Sequence, residues 1–148
     1  TKSQVGTRFG IKNMPGSGEI KNLGNVAYEI LEPVRAKFEK PVMINSGYRC
    51  LELNRKIGSS DSSQHTKGMA VDFEIIGTPN IQVAYWIQNN CDFDQLILEF
   101  FKPDEDNAGW IHASYCDGNN RKQVLTFDGK SYSDGLPDME WKDGKVKE

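Results

Sequence analysis

Two histidines and one aspartate stand out in the sequence, because their side chains could together hold a metal ion. His65 begins the string HTKGMAVD, which ends at Asp72 and in which a polar loop passes into an alternating apolar segment. If the chain turns at Gly68, His65 and Asp72 can approach one point. His112 is the only other histidine. Two imidazoles and one carboxylate make a three-ligand zinc site with an open fourth position. The alternative, that these are unrelated surface or core residues, is open from spacing alone.

The segments around these residues must form the elements that position them. Residues 20–38 carry apolar side chains at three- and four-residue steps, which predicts a helix, and Pro33 should kink or locally break it. Further helices are predicted at 50–57, ended by Gly58, and at 78–90, with Thr78 and Pro79 at its start. Strands are predicted at 41–45, 69–75, 95–101, 110–116 and 123–127, and residues 1–19 should be irregular.

The composition is that of a single globular domain. The chain has 148 residues, 37% of them hydrophobic, which is enough for one core. It has no apolar run of about 18 residues, so no membrane insertion is expected, and a net charge of −3 argues against binding nucleic acid. We expect one domain over residues 1–148, with a core at 20–127 and a polar tail at 128–148.

The cysteines and the start of the chain leave the compartment undecided. Three cysteines, Cys50, Cys91 and Cys116, do not make a closed disulfide framework, so three reduced thiols or one bridge with a free thiol are both open. No secretion signal is recognised, but the chain begins at Thr1 rather than at a methionine. The sequence therefore fixes neither the redox state nor the localisation.

The order and context of the motifs resemble the zinc D-Ala-D-Ala carboxypeptidase family, which includes phage and bacterial peptidoglycan peptidases. Residues 63–72 match the pattern S-x-H-x-x-G-x-A-x-D, and the tripeptide W-I-H follows at residues 110–112. Upstream, residues 46–49 read S-G-Y-R, with Asn54 following. The resemblance runs from about residue 22 to residue 115. The Hedgehog signalling domain shares the zinc-site fold of this superfamily.

The resemblance implies roles for individual residues. His65, Asp72 and His112 would bind one zinc ion, and Arg49 would lie beside the substrate. A guanidinium offers forked donors to a carboxylate or a developing oxyanion, although a structural ion pair is the alternative. The remaining substrate-binding candidates are Ser63, Gln64 and Trp110.

The general base is harder to assign. Many members of the superfamily have an acidic residue three positions before the last histidine ligand, where this chain has Gly109. Another arrangement places the acid at the end of the preceding strand, where Glu99 stands. A carboxylate in an apolar strand is costly unless it is paired or used, so we predict that Glu99 is the base. An outward-facing Glu99 is the alternative, and Asp106 and Glu105 are weaker candidates.

Together these features predict an α+β fold in which helices pack on a small, mainly antiparallel sheet with a zinc cleft. The predicted function is a zinc-dependent peptidase. The resemblance implies that its substrate is a D-amino-acid-containing bond in the stem peptide or cross-link of peptidoglycan, as in a phage endolysin or a bacterial cell-wall enzyme. The rivals are a zinc-stabilised binding module and a metal-free virion structural domain. The sequence gives no oligomeric state and does not distinguish an endopeptidase from a carboxypeptidase.

Overall fold

The structure, a computed structural model, describes residues 3–138, 141–142 and 145–146. The helices are α1 (Gln4–Arg8), α2 (Ser17–Val26), α3 (Glu32–Phe38), α4 (Leu51–Lys56) and α5 (Asn80–Asn90), with a π-helical turn at Ala27–Leu31 and a 3₁₀ turn at Gln64–Lys67. The strands are β1 (Met43–Ser46), β2 (Ala70–Glu74), β3 (Gln95–Glu99), β4 (Trp110–Ser114), β5 (Gln123–Phe127), β6 (Tyr132–Asp134), β7 (Trp141–Lys142) and β8 (Lys145–Val146). Among the described residues, no helix has the length and apolarity needed to cross a membrane.

Six strands form the main sheet, in the order β1-β2-β4-β3-β5-β6. All neighbouring pairs are antiparallel except β3 and β5, which run parallel. The strands β7 and β8 pair with each other in a separate two-stranded sheet. The predicted α+β fold with a mainly antiparallel sheet is therefore confirmed.

One face of the sheet packs against the helices and forms the core. Alternate strand residues, such as Phe73 in β2, Leu96 in β3 and Ile111 in β4, are fully buried there. Helical residues that include Val26 and Ile87 complete the same cluster. Because successive side chains of a strand point to opposite faces, this packing leaves the intervening polar residues on the face that these helices do not cover.

The long helical segment passes through Pro33 without a break. Pro33 lies in the first turn of α3, where its missing N–H group is tolerated. The preceding π-helical turn has a wider hydrogen-bond spacing than an α-helix, because the N–H of Glu32 donates to the carbonyl oxygen of Ala27. The predicted local break does not occur in this segment, because the π-helical turn runs directly into α3.

Three local predictions were wrong. Residues 1–19 are not irregular throughout: α1 is capped by Ser3, whose Oγ accepts a hydrogen bond of 3.2 Å from the Gly6 N–H, and α2 starts inside the predicted turn cluster. Thr78 does not cap α5, because its hydroxyl accepts a hydrogen bond of 2.9 Å from the Lys40 ammonium. The stretch after Asp128 is more than a turn and tail, since β6 extends the sheet by pairing with β5.

The cysteines form no disulfide bond. Cys50, Cys91 and Cys116 all lie among the described residues, and all three are free thiols. The thiol of Cys50 instead accepts the N–H of Leu53 at 3.5 Å, at the start of α4. The arrangement corresponds to the three-thiol alternative of the sequence analysis.

An ion pair between an exposed arginine and a buried carboxylate fixes the end of the sheet where β3 and β5 begin. Asp94 is only 2% exposed, and its carboxylate accepts hydrogen bonds from the Arg121 side chain, at 2.8 Å for Nη2, and from the Arg121 backbone N–H at 3.0 Å. These bonds outweigh the cost of burial and lower the pKa of Asp94 to about 2. The pair therefore stabilises the fold only while Asp94 is ionised.

This pairing predicts an acid-dependent loss of stability. A carboxyl whose pKa is depressed by folding contributes stability above its unfolded pKa of about 3.9, and that contribution is lost as the pH falls toward the folded value. For Asp94 the loss should be about 2 kcal/mol between pH 5 and pH 2. Urea unfolding at both pH values should show a shallower pH dependence in Asp94→Asn than in wild type. An unchanged difference between the two pH values would refute this role.

Candidate metal centre

Strand pairing places two of the predicted ligands side by side. Asp72 in β2 and His112 in β4 are directly opposed in the antiparallel register, so their side chains share the face of the sheet opposite the core. The Nδ1 atom of His112 lies 3.0 Å from Oδ1 of Asp72. Both side chains are largely buried, at 12% and 13% exposed. The backbone alone therefore holds a carboxylate against an imidazole.

The third predicted ligand comes from the 3₁₀ turn before β2. His65 is 3% exposed, and its Nε2 lies 3.4 Å from Oδ2 of Asp72. The turn begins at Ser63, whose Oγ accepts the His65 N–H at 3.3 Å, and it ends at Gly68 with φ of +70°. A Cβ at Gly68 would press on the backbone of Glu19 in α2, so this position needs glycine for both conformation and space. The chain turns at Gly68 as the sequence predicts.

The second nitrogen of His65 has the partner that a metal-binding histidine commonly needs. Its Nδ1 lies 2.8 Å from the carbonyl oxygen of Gly47. A carbonyl can only accept, so Nδ1 carries a proton on that side, and Nε2 is the nitrogen that would face a metal ion. Gly47 was not among the predicted site residues; it lies within the S-G-Y-R segment, but the role of a backbone carbonyl has no signal in a side-chain pattern.

These donors fit a zinc ion. The donor atoms of His65, Asp72 and His112 lie within 4.8 Å of one another, and they combine the two imidazoles and one carboxylate that such sites use. Ligand bonds of 2.0–2.1 Å at tetrahedral angles separate neighbouring donors by about 3.3 Å, close to the two distances around Asp72. The nitrogen of His112 in this group is Nδ1, which faces Asp72, while the buried Nε2 has no hydrogen-bond partner among the described residues. A zinc ion would be held by these three side chains.

The carboxylate at the centre of this group is strongly acidic. Burial acts to raise the pKa of Asp72, but the hydrogen bonds with His112 and His65 outweigh burial and hold the pKa well below its usual range. Asp72 is therefore ionised at any pH at which the protein would work, which is the form that binds a metal ion.

Glu99 lies on the same face, two residue pairs along the sheet. In the register of β3 and β4, Ile97 is opposite His112 and Glu99 is opposite Trp110. Glu99 is thus the diagonal neighbour of His112, at about 7–8 Å between Cα positions. Burial is the main cause that raises the pKa of the Glu99 carboxyl, and the charge of Asp72 adds to it while His112 opposes it. The half-buried carboxyl is close to the candidate ligands without being one of them.

The backbone explains why the acid is absent from position 109. Gly109 has φ of +70°, and a Cβ there would collide with the carbonyl oxygen of Glu99. The connection between β3 and β4 also contains Phe100 in the left-handed region, with φ of +52°. Only glycine fits this close crossing of the two chain segments. The loss of an acid at position 109 is therefore tied to the path of the backbone that carries Glu99.

Arg49 follows β1, which pairs with β2 on the side of that strand away from β4. Its Nε donates to Oδ1 of Asn54 at 3.2 Å and its Nη1 to Oγ of Ser46 at 3.1 Å. Burial lowers the pKa of the guanidinium, and the charge of Asp72 opposes that shift. Arg49 also lines a cavity of about 770 Å³ between α1, α2, β1 and α4, and its backbone N–H donates to the carbonyl oxygen of His65 at 3.1 Å.

The other predicted substrate-binding residues have varied surroundings. Ser63 caps the 3₁₀ turn, and the Gln64 side-chain amide donates to Asp94 at 2.8 Å. The half-buried ring of Trp110 stacks at a tilt on Phe100, with ring centroids 5.0 Å apart. None of these contacts tests substrate binding, so that role remains a prediction for all three residues.

The two weaker candidates for the base lie in the exposed loop between β3 and β4. Glu105 forms an ion pair with Lys102 at 3.3 Å, with both side chains more than half exposed. Asp106 is exposed, and its backbone carbonyl accepts the N–H of Asn80 at 3.4 Å. Neither carboxylate has the burial that distinguishes Glu99.

A comparison with known protein families agrees with the geometry. The family model described as Peptidase M15 matches residues 6–112, a span that begins in α1 and ends at the last candidate ligand. No curated protein matches the chain significantly.

The site predicts binding of one zinc ion per chain. His65→Ala and His112→Ala should each abolish stoichiometric zinc, because two protein ligands do not hold the ion tightly. Binding to the native state stabilises it by mass action, so a chelator should lower the melting temperature of wild type but not of either variant. Metal analysis and thermal unfolding measure these effects. Full zinc content in both variants would show that the site is elsewhere.

The crossing at Gly109 predicts a large cost for any side chain. Gly10 is a matched control, because it has φ of +66° but nothing within 4 Å of a Cβ. Gly10→Ala should cost about 1 kcal/mol of unfolding free energy for the strained conformation alone, whereas Gly109→Ala adds a backbone collision and should cost at least about 3 kcal/mol. Urea unfolding compares the two, and equal losses would argue against the collision.

Proposed function

The chain belongs to the peptidase M15 family of zinc metallopeptidases, and we propose that it hydrolyses peptide bonds next to D-amino acids in the stem peptide or cross-link of peptidoglycan. The observation that carries the proposal is the grouping of His65, Asp72 and His112 on one sheet face with Glu99 beside them. The resemblance of the S-x-H-x-x-G-x-A-x-D and S-G-Y-R segments to D-Ala-D-Ala carboxypeptidases supports the choice of substrate. A lytic or remodelling role at the cell wall, of phage or bacterial origin, is part of the same proposal.

The proposed reaction divides the work between the metal and the side chains. A zinc ion bound here would act as a Lewis acid and lower the pKa of water to about 7. Glu99 would accept a proton from the attacking water and return it to the leaving amine. The raised pKa of Glu99 suits this exchange, because a base must hold the proton briefly and then release it.

Arg49 supplies positive charge at the opposite side of the site. Its Nε and Nη1 are held by Asn54 and Ser46, while Nη2 has no hydrogen-bond partner among the described residues. This arrangement fixes the plane of the guanidinium and leaves a donor for a substrate carboxylate or a developing oxyanion. The neighbouring cavity is lined by Arg49, Tyr48 and Ile44 among others, and none of the three candidate ligands lines it.

The central test of the base is Glu99→Gln, which keeps the shape of the side chain but cannot accept a proton as a carboxylate does. We expect it to retain its fold and zinc while turnover falls at least about 10²-fold, the low end for a positioned general base. Release of amine from a peptidoglycan stem peptide is measured at matched zinc occupancy. Asp106→Asn removes an exposed carboxylate of the adjoining loop and should leave the rate unchanged.

The outcomes separate the alternatives. Equal rates for wild type and Glu99→Gln would remove Glu99 from the mechanism, and a loss confined to Asp106→Asn would transfer the role to that residue. If wild type binds zinc but cleaves no cell-wall peptide, the proposed peptidase activity fails in favour of a zinc-stabilised binding module.

A further inference from the structure

The three candidate ligands are not held equally well by the fold. Asp72 and His112 face each other across two paired strands of the sheet, which fixes them through the backbone. His65 lies outside the sheet, on a single 3₁₀ turn that follows an exposed polar segment at residues 58–62. The position of its imidazole relative to Asp72 therefore depends on contacts made by the turn itself.

On one side, the turn is tied to the segment after β1. The imidazole bonds to the carbonyl oxygen of Gly47, and the carbonyl of His65 accepts the N–H of Arg49. These two bonds anchor His65 to an irregular segment, because residues 47–50 belong to no helix or strand. They do not connect the turn to the strands β3 and β5 on the far side of His112.

On the other side, the connection is made by Gln64, the residue directly before His65. Its Nε2 donates to Oδ2 of Asp94 at 2.8 Å and lies 3.6 Å from Sγ of Cys116. Its backbone carbonyl accepts the N–H of Met69 at 3.0 Å, just before β2 begins. Gln64 is thus held at both its side chain and its backbone.

Asp94 is a rigid acceptor for this bond. Four further hydrogen bonds join its carboxylate to Arg121, three from the guanidinium and one from the backbone N–H. Its own backbone N–H donates to the carbonyl of Ser114 at 2.8 Å, and its carbonyl accepts the N–H of Gln123 at 3.0 Å. A buried carboxylate that accepts hydrogen bonds on both oxygens cannot rotate, so it holds the Gln64 side chain in a fixed position relative to the sheet.

We propose that Gln64 and Asp94, braced by Arg121, form a clamp that positions the turn carrying His65 for metal binding. The proposal rests on the metal site of the proposed function. Both are positioning residues and not ligands, since neither belongs to the group of donors around Asp72. The clamp fixes the third ligand in the way that outer hydrogen bonds commonly orient metal-binding side chains.

Removing the clamp should weaken metal binding with little loss of stability, which removing a purely structural contact would not do. Gln64 contributes one neutral donor, and without it Asp94 keeps all four bonds to Arg121, so the fold should lose little stability. The turn would lose its side-chain bond to Asp94 and keep only the backbone bond from Met69 and the bond from the Asn22 amide to the Lys67 carbonyl, so the cost should fall on metal binding. Loss of an outer-shell partner typically weakens metal affinity by about 10–100-fold.

The test is Gln64→Met, which keeps the side-chain length and removes the donor. Zinc affinity is measured by competition with a chromophoric chelator, and the visible spectrum of bound Co²⁺ reports the ligand geometry. We expect at least about a 10-fold weaker affinity and an altered cobalt spectrum, with the melting temperature of the metal-free protein near that of wild type. Gln123→Met is the matched control, because Gln123 makes one exposed side-chain bond, to Gln95, and should bind zinc as wild type does.

A second variant tests the bond itself. Gln64→Glu places a carboxylate against Asp94 and should weaken zinc binding at least as much as Gln64→Met. Wild-type affinity and spectrum in Gln64→Met would overturn the clamp. Failure of the wild-type protein to bind zinc at all would instead count against the proposed function.

Discussion

The opposition of Asp72 and His112 across two antiparallel strands is the constraint on which the rest of the site depends. Because side chains alternate along a strand, the register that buries Val71 and Phe73 against the helices also directs Asp72 to the other face. A slip of one residue would bury the carboxylate in the core and expose the phenylalanine. The hydrophobic core therefore selects the same register that the candidate metal centre requires.

Two carboxyl groups on this face have pKa values shifted in opposite directions. Asp72 receives hydrogen bonds from two histidines, which keep its pKa low and its charge available to a cation. Glu99 lies two residue pairs along the sheet, where burial raises the pKa of its carboxyl, in keeping with the role in proton exchange that we propose for it. Environments that shift the pKa values of two neighbouring titratable groups in opposite directions are typical of acid–base sites. The division follows from position in the sheet, because Asp72 faces His112 and Glu99 faces Trp110.

Sequence patterns were sufficient for the strands β1 to β5 and for the grouping of the candidate ligands, but not for β6 or for the contacts that brace the ligands. The alternation at residues 69–75 predicted β2, and the order of the motifs predicted that His65, Asp72 and His112 meet. The partner of Gln64 is 30 residues away, and nothing in the local sequence distinguishes Asp94 from a solvated loop charge. Similarly, the sequence shows that position 109 has glycine in place of the acid. Only the close approach of the Gly109 and Glu99 backbones explains why no side chain fits there.

The most direct test of the account is the location of the metal in crystals grown with zinc, measured by anomalous diffraction at the zinc absorption edge. We predict one strong peak per chain, bonded to one nitrogen each of His65 and His112 and to an oxygen of Asp72 at about 2.0–2.2 Å, with a further position open toward Glu99. A peak elsewhere, or none in crystals that contain zinc, would contradict the central claim that these three side chains form the metal centre of a peptidase.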